Sequence, residues 1–287
     1  MTAPPPGCSD EAMDVERDIL THYAITDEGD RLFTRARLEG ERTRELLRRF
    51  LPPPPAKVLD IGGAEGAYAL PLARNGYRVH LIDPVARHVE AARANSEAQA
   101  DAPLAGVALG DARELAGIPD AGADAVLLFG PLYHLVDAAD RARALAEARR
   151  VLRPGGRLMA AAISRFASTM DGLALGYLLD ARFAAMVDHT LDTGVHRNPD
   201  AAERPEWFTL AYFHRPEELA AEVAAAGFLD TRVLPVEGPV AAPDAEIDAA
   251  LADPRQRATV LRAIERIEDE PALLGASPHL MAVAAAP

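Results

Sequence analysis

The spacing of apolar positions changes period along this chain in a regular way. From Lys57 onward, short apolar runs of the kind that form buried strands alternate with stretches whose apolar residues recur every three or four positions. The pattern predicts strands at Lys57–Ile61, Val79–Ile82, Gly106–Leu109, Ala125–Phe129 and Arg157–Ile163, the last after a Pro154-Gly155-Gly156 turn. Between them it predicts helices at about Gly66–Asn75, Ala86–Gln99 and Ala138–Leu152. Strands that alternate with helices imply a parallel sheet with right-handed crossovers. A ligand then belongs in the crevice beyond the carboxyl ends of the strands.

The flanking regions read differently. Residues 1–15 are expected to be disordered, and residues 16–50 to form a helical cap, with Arg37, Arg42, Arg44, Arg48 and Arg49 interleaved with Leu38, Leu46, Leu47 and Phe50. Pro52 to Pro55 stop that helix and open the core unit, residues 51–164. Residues 165–214 break the rhythm, with a helical stretch, a loop from Gly194 to Pro205 and the aromatic group Trp207, Phe208, Tyr212 and Phe213; they are read as an inserted lid. Residues 215–287 return to the core pattern. Pro216 opens a helix at Glu217–Ala226 that Gly227 stops, followed by a strand at Thr231–Val236, a helix over about 244–269 and a last strand at His279–Ala285.

Composition narrows the function. A chain of 287 residues that is 49% hydrophobic can bury a sizeable core. The formal net charge of -14 removes the basic footprint that supplies most nucleic-acid affinity, so no nucleic-acid partner is expected. Cys8 is the only cysteine, which excludes an intrachain disulfide or a thiolate metal cage. No basic leader with an apolar run opens the sequence and no stretch reaches the roughly 20 apolar residues of a membrane span, so a cytoplasmic protein is expected, free of membrane and present as monomer or homodimer. Lys57 is the sole lysine amid many arginines and alanines, the usage of a high-GC bacterial genome.

The candidate chemistry starts at Val58-Leu59-Asp60-Ile61-Gly62-Gly63-Ala64-Glu65-Gly66, a buried strand running into a glycine-rich turn and then a helix. Glycine is needed in such a turn where a Cβ would hold the backbone off a ligand or forbid positive φ. Asp83 ends the next strand 21 residues after Gly62, where an acid can accept from both ribose hydroxyls, and Pro84 follows it. The two features together point to an adenosine-type ligand. A pyrophosphate site usually shows G-x-G-x-x-G; here the order is Asp60-x-Gly62-x-x-x-Gly66, with an acid placed to reach an ammonium group, which favours S-adenosylmethionine. Gly110-Asp111-Ala112 follows the third strand, where an acid can accept from the adenine amino group, and Phe129-Gly130-Pro131-Leu132-Tyr133-His134 follows the fourth.

The set VLDIGGAEG, LIDP, GDA, DAVLLFGPLYHL and RRVLRPGGRL resembles the class I S-adenosylmethionine-dependent methyltransferases, in the subgroup that methylates small molecules. The resemblance covers residues 56–164 by motif and 216–287 by topology. It implies an α/β fold with a doubly wound, Rossmann-like, seven-stranded sheet whose last strand is antiparallel and inserted between its neighbours, carrying the helical cap and the lid. It also implies that Gly62, Gly63 and Gly66 approach the methionine moiety, that Asp83 holds the ribose and Asp111 and Ala112 the adenine, and that Phe129 and Gly130 lie near the sulfonium. Ala64 departs from the family, whose loops commonly have glycine there. The cap usually closes over cofactor and acceptor, which makes Tyr23, Arg37 and Arg42 candidates.

A sulfonium methyl is already activated, so such an enzyme mainly aligns its acceptor and excludes water. If the acceptor must lose a proton, His134 is the candidate base, with acceptor positioning and a structural hydrogen bond as competing roles. Tyr133 is either catalytic or a packing residue. Trp207, Phe208 and Tyr212, with Phe213 and His214 beside them, either line the acceptor pocket or form the lid's own core. His88 and Glu90, two apart on a predicted helix, point to different faces, so no metal site is expected there. The basic run Arg141, Arg143, Arg149, Arg150 and Arg153 is read as a solvated helix face. Two rival readings remain: a protein that binds S-adenosylmethionine without methylating, and a nicotinamide-dependent oxidoreductase, which the loop spacing and the absence of a Tyr-x-x-x-Lys pair disfavour.

Overall fold

The computed structural model describes residues 36–240 and 244–287. The expected disordered segment, the first part of the cap and Tyr23 lie outside them. Among the described residues no helix is long and apolar enough to cross a membrane.

Five strands, β1 (Lys57–Ile61), β2 (Arg78–Asp83), β3 (Gly106–Leu109), β4 (Ala123–Leu128) and β5 (Leu152–Ser164), run parallel in the order β3-β2-β1-β4-β5. The chain then adds β6 (Val195–His196), β7 (Ala211–His214), β8 (Leu229–Pro235) and β9 (His279–Ala285). The antiparallel β9 lies between β5 and β8, from Arg157↔Ala285 to Ile163↔His279 on one side and from Leu229↔Ala285 to Pro235↔Leu280 on the other. This is the inserted last strand that the family resemblance implies.

The sheet departs from the expected seven strands, because β6 and β7 make nine. The cause is the length of β5. Its pairing with β4 ends at Leu128↔Ala160, and the overhang offers unpaired backbone that β7 takes at Ile163↔Phe213 and Ser164↔His214. β5 also begins before the expected Arg157. Ala123 pairs with Leu152 and Ala125 with Arg157, so the Pro154-Gly155-Gly156 turn bulges out of a continuous strand, with Gly155 at φ +73°.

Helices α1 (Arg37–Phe50), α2 (Ala69–Arg74), α3 (Ala86–Ala98), α4 (Pro131–His134) and α5 (Ala138–Val151) accompany the parallel strands. The insert contributes α6 (Ala167–Leu175) and α7 (Ala181–Thr193). α8 (Pro216–Ala225), α9 (Asp244–Ala252) and α10 (Pro254–Glu265) complete the chain, and the expected single helix over 244–269 is two. Asp253 breaks it, its carboxylate accepting the Arg255 and Gln256 N–H groups ahead of Pro254 at the first helical position.

The core has two layers. On one face Leu59, Ile61, Val126, Leu128 and Leu158 pack on Leu145 and Val151 of α5 and Leu219 and Val223 of α8. On the other, Val58, Leu81, Leu127 and Met159 pack on Leu46 and Leu47 of α1 and Leu72 of α2. Because side chains alternate along a strand, Asp60 and Asp83 share the face of Val58 and Leu81. Two acids are thereby brought side by side at the carboxyl ends of adjacent strands.

Candidate active site

The glycine loop after β1 turns as its sequence requires. Gly62 has φ +75°, and a Cβ there would stand 2.8 Å from Pro131 Cδ, so a side chain would push the loop after β4 away. At Gly63 a Cβ would meet Asp60 Oδ2 at 2.7 Å. Ala64 adopts φ +46° without being glycine, a strain of about 1 kcal/mol. Its N–H donates to Asp83 Oδ2 at 2.9 Å.

Asp60 and Asp83 are both buried, yet they are served very differently. Asp83 Oδ1 accepts from Val85 N–H at 2.9 Å and pairs with Nδ1 of His88 at 3.1 Å, so with Ala64 three of its roughly four acceptor directions are taken. Asp60 has no hydrogen-bond partner on either oxygen. Burial, and secondarily the charge of Asp83, raise its carboxyl to about 7. A buried carboxyl without a donor is costly, and such groups concentrate where a ligand completes them.

The remaining cofactor candidates are arranged around these acids. Pro84 is exposed just past Asp83. Asp111, after β3 and Gly110, is held by Arg113, whose Nη2 donates to Oδ2 at 2.5 Å and whose Nη1 reaches Asp140 at 2.9 Å. Burial opposes ionisation of Asp111, but the Arg113 hydrogen bonds outweigh it and keep the carboxyl below its ordinary range. Ala112 is packed in the core with Leu115. Phe129 meets Tyr68 edge to face at 5.3 Å, and Gly130 lies 3.5 Å, measured from an added Cβ, from the Gly62 carbonyl oxygen.

Beyond β4, α4 carries Tyr133 and His134 with their rings 4.6 Å apart. The Tyr133 hydroxyl donates to the Phe129 carbonyl at 3.0 Å. His134 faces Phe208 of the insert at 6.4 Å between ring centroids, and Tyr133 and Phe208 both pack on Ile163, Ala167, Ala211 and Phe213. Phe208 has φ +71° and ψ -172°, a region that is essentially glycine's and costs about 1–3 kcal/mol. Its neighbours enforce it: Asn198 Nδ2 donates to the Phe208 and Arg204 carbonyls at 3.0 and 2.8 Å, and His196 Nε2 lies 2.8 Å from the Trp207 carbonyl oxygen.

Four candidate acceptor residues are placed elsewhere. Trp207 is 2% exposed within the insert's own core, against Phe183, Met186 and Val187. Tyr212 falls on the face of β7 opposite Phe213, where the Arg141 guanidinium stacks 3.7 Å from its ring. Arg42 is fully buried on the 38/42/46 stripe of α1, paired with Glu45 and Glu268. Arg37 donates to the Asp248 carbonyl at 3.0 Å and docks α9. Each is used by the fold, because its spacing places it on a packed face.

Arg141 departs from the otherwise solvated basic face, on which Arg143, Arg149 and Arg153 are exposed as expected. It is 2% exposed and holds the Leu135 and Val136 carbonyls at 3.0 and 2.8 Å, directly after His134, while binding Glu222 of α8 through Nη2 at 2.7 Å. Glu222 is in turn 3.2 Å from His214 Nε2; burial works against its charge, but His214 and Arg141 outweigh it and hold the carboxyl at about 2. Among the described residues, Glu39, Glu237 and His279 gather closely enough to hold a cation, with His279 Nδ1 at 2.5 Å from Glu237 Oε1 and 3.8 Å from Glu39 Oε2. His88, Arg113, Arg141 and Asn198 were not singled out as site residues by their sequence context. His88 had one usable signal, its place in the first turn of α3, five residues after Asp83.

Residues 59–160 match the family profile described as a methyltransferase domain. The chain is 36% identical over 123 residues to a ubiquinone biosynthesis O-methyltransferase of Methylocella silvestris, covering 41% of this chain and 44% of that protein. It is 34% identical over 115 residues to an S-adenosyl-L-methionine-dependent Diels-Alderase of Talaromyces variabilis, covering 39% and 38%. Among solved structures it is similar to a SAM-dependent methyltransferase, possible histamine N-methyltransferase, of Thermotoga maritima, with TM-score 0.56, 18% identity and coverage of 96% and 99%. The chain spans about 40% of the length of the first curated relatives it matches. Residues 59–160 thus carry a methyltransferase domain by motif and profile, and the fold is similar to that of the S-adenosylmethionine-dependent methyltransferases, whose cofactor is S-adenosylmethionine.

Proposed function

We propose that this protein transfers a methyl group from S-adenosylmethionine to oxygen or nitrogen, with carbon as a further possibility, of a small-molecule acceptor. The observation that carries the reading is Asp60, a buried carboxyl group with no donor, set against Gly63, whose Cβ would fill the same space. These residues fit the amino-acid end of S-adenosylmethionine. Asp60 would receive its ammonium, the Gly62–Gly66 loop would pass along its methionine chain, Asp83 would take the ribose and Asp111 the adenine amino group.

When bound, S-adenosylmethionine supplies a methyl group already activated on a sulfonium. The chain's own residues then orient the acceptor and exclude water. Tyr133, Phe208 and Phe213 make an aromatic wall over the end of β5. His134, at the rim of that wall, would accept the acceptor's proton at an imidazole nitrogen. Arg141 holds the α4–α5 connection in register with the insert, so the base and the wall stay opposed.

Titration of the full chain with S-adenosylmethionine, S-adenosylhomocysteine and NAD tests the cofactor half. Micromolar binding of the first two and none of NAD is expected; binding of NAD alone would overturn the reading. The acceptor half is tested by screening phenols, catechols and amines for a product heavier by one methylene. The similarity to a Diels-Alderase supports a second reading, cofactor binding without methyl transfer. Conversion of a substrate with no S-adenosylhomocysteine formed would favour it.

A further inference from the structure

Most polar groups at the carboxyl end of the sheet are answered within the chain. The Asp83 carboxylate has three internal partners, Asp111 has Arg113, and the Tyr133 hydroxyl has the Phe129 carbonyl. Asp60 has none. It is 1% exposed, and it shares a face with the carboxylate of Asp83 on the next strand. Two ionised carboxylates side by side in a buried site repel, and the one without donors is the one that neutralises.

The surroundings decide which acid that is. On β2 the titratable group facing Asp60 is Asp83, and His88 of α3, itself 4% exposed, stands behind it on Asp83 Oδ1. Two backbone N–H groups donate to Asp83, and His88 Nδ1 pairs with it. From β4 and the connection after it, Phe129, Gly130 and Pro131 bring no charge. In the glycine loop Glu65 engages through its carbonyl oxygen, which accepts from Asn95. No other titratable side chain acts on Asp60 among the described residues.

We infer that in the ligand-free protein Asp60 holds a proton in place of the cofactor's ammonium, and that binding exchanges one for the other, with His88 as the positioning residue that engages the neighbouring Asp83 carboxylate. This rests on the proposed placement of S-adenosylmethionine. The balance is simple: the Asp60 carboxyl releases its proton to solvent, the resulting carboxylate accepts hydrogen bonds from the ligand's ammonium, and no bond of the ligand is made or broken. Burial supports the exchange, since it places the Asp60 proton equilibrium at about 7. The affinity should then be flat above neutrality and weaken about tenfold per pH unit below it.

The test is calorimetric titration of the full chain with S-adenosylhomocysteine in buffers of different ionisation enthalpy, which counts the protons released. About nine-tenths of a proton is expected at pH 6, about half at pH 7 and about one-tenth at pH 8. Adenosine, which lacks the ammonium, should bind with no release. Asp60→Asn should bind S-adenosylhomocysteine more weakly at pH 8 and release no proton at any pH. His88→Met should move the midpoint of release upward, because Asp83 loses a donor to its charged form, and His88→Asn, which keeps an N–H near the Nδ1 position, should restore it. Wild-type binding with heats independent of buffer at pH 6 would overturn the exchange while leaving the cofactor reading intact, as would undiminished release from Asp60→Asn. Failure of S-adenosylhomocysteine to bind at any pH would overturn the cofactor reading itself.

Discussion

The sheet end proposed to face the cofactor and the insert proposed to face the acceptor treat their polar groups in opposite ways. In the first, Asp60 stays buried without a partner and Asp83 is left with about one open acceptor direction, so the site is incomplete without a ligand. In the insert, most of the buried polar groups bind one another. His196 pairs with the Trp207 carbonyl and sits near Ser168 and Thr190, and burial holds its imidazole down at about 4, neutral at working pH. Arg165 reaches the Phe213 carbonyl and Glu218. The cofactor half therefore stores its function as unmet hydrogen bonding, while the insert stores it as shape, in the forced backbone of Phe208. A strand end can carry an orphan acid because the sheet around it is stable; a small insert cannot, and must first satisfy itself to hold its fold.

If that contrast is right, Trp207→Ala should have the largest effect on stability. Emptying the insert's core is expected to cost about 3–5 kcal/mol locally and to abolish turnover, while S-adenosylhomocysteine affinity changes less than threefold. Thermal unfolding and calorimetry on the same sample check it; a joint loss of both functions would merge the two regions into one.

Asp60→Asn should do the reverse, stabilising the ligand-free protein while weakening the ligand. The folded-state equilibrium near 7 lies above the ordinary 3.8, so the native state holds a proton that the unfolded chain has released between those values. Stability is consequently lost as pH rises through that window, by an amount on the order of 4 kcal/mol once complete. The variant should melt higher than wild type at pH 8 and about equally at pH 4. An equal gain at both values would show that the charge of Asp60 is not what costs stability.

Asp83→Asn keeps the shape of the proposed ribose acceptor and part of its internal hydrogen bonding. A loss of about a hundredfold in adenosine affinity is expected, roughly 2.7 kcal/mol. Truncation to alanine would be a poorer experiment, since Ala64, Val85 and His88 all depend on that carboxylate. The smallest effect is expected from Ala64→Gly, which relieves the positive φ and should raise stability by no more than about 1 kcal/mol without changing ligand affinity. Hydrogen exchange in residues 62–66 would register a loosened loop if the alanine is in fact what holds it closed.

The cofactor half was legible from the linear order because its information is local. A strand, a glycine turn and an acid at the next strand end lie within 57–83, and their geometry follows from backbone preference and from the alternation of faces. Even the unusual Ala64 was visible as a departure. Its partner His88 was not, because a lone histidine on a helix has many uses and only the packing of α3 on β2 brings it to Asp83. The acceptor half was harder to read. Trp207, Phe208, Tyr212 and Phe213 are equivalent as an aromatic cluster in sequence, yet they are sorted three ways: one into the insert's core, two toward Tyr133 and one toward Arg141. The unforeseen strand β7 parts Tyr212 from Phe213 by turning alternate side chains to opposite faces, and the short turn Pro205–Trp207 with the forced backbone of Phe208 parts the other two.

The arginines repeat the lesson. Arg42 and Arg141 stood in basic stretches that suggested solvent or substrate, and both are buried among acids from distant segments, Glu268 and Glu222. Sequence alone determined the alternation of strands and helices, the glycine turn, and the acids at the strand ends, since these depend on neighbours a few residues away. Tertiary structure alone decided which acid would be left without a donor, which histidine would serve its neighbour, and which aromatic ring would be forced against α4. Those depend on burial and pairing across tens to hundreds of residues, which the strand register and helix packing impose and no local pattern encodes.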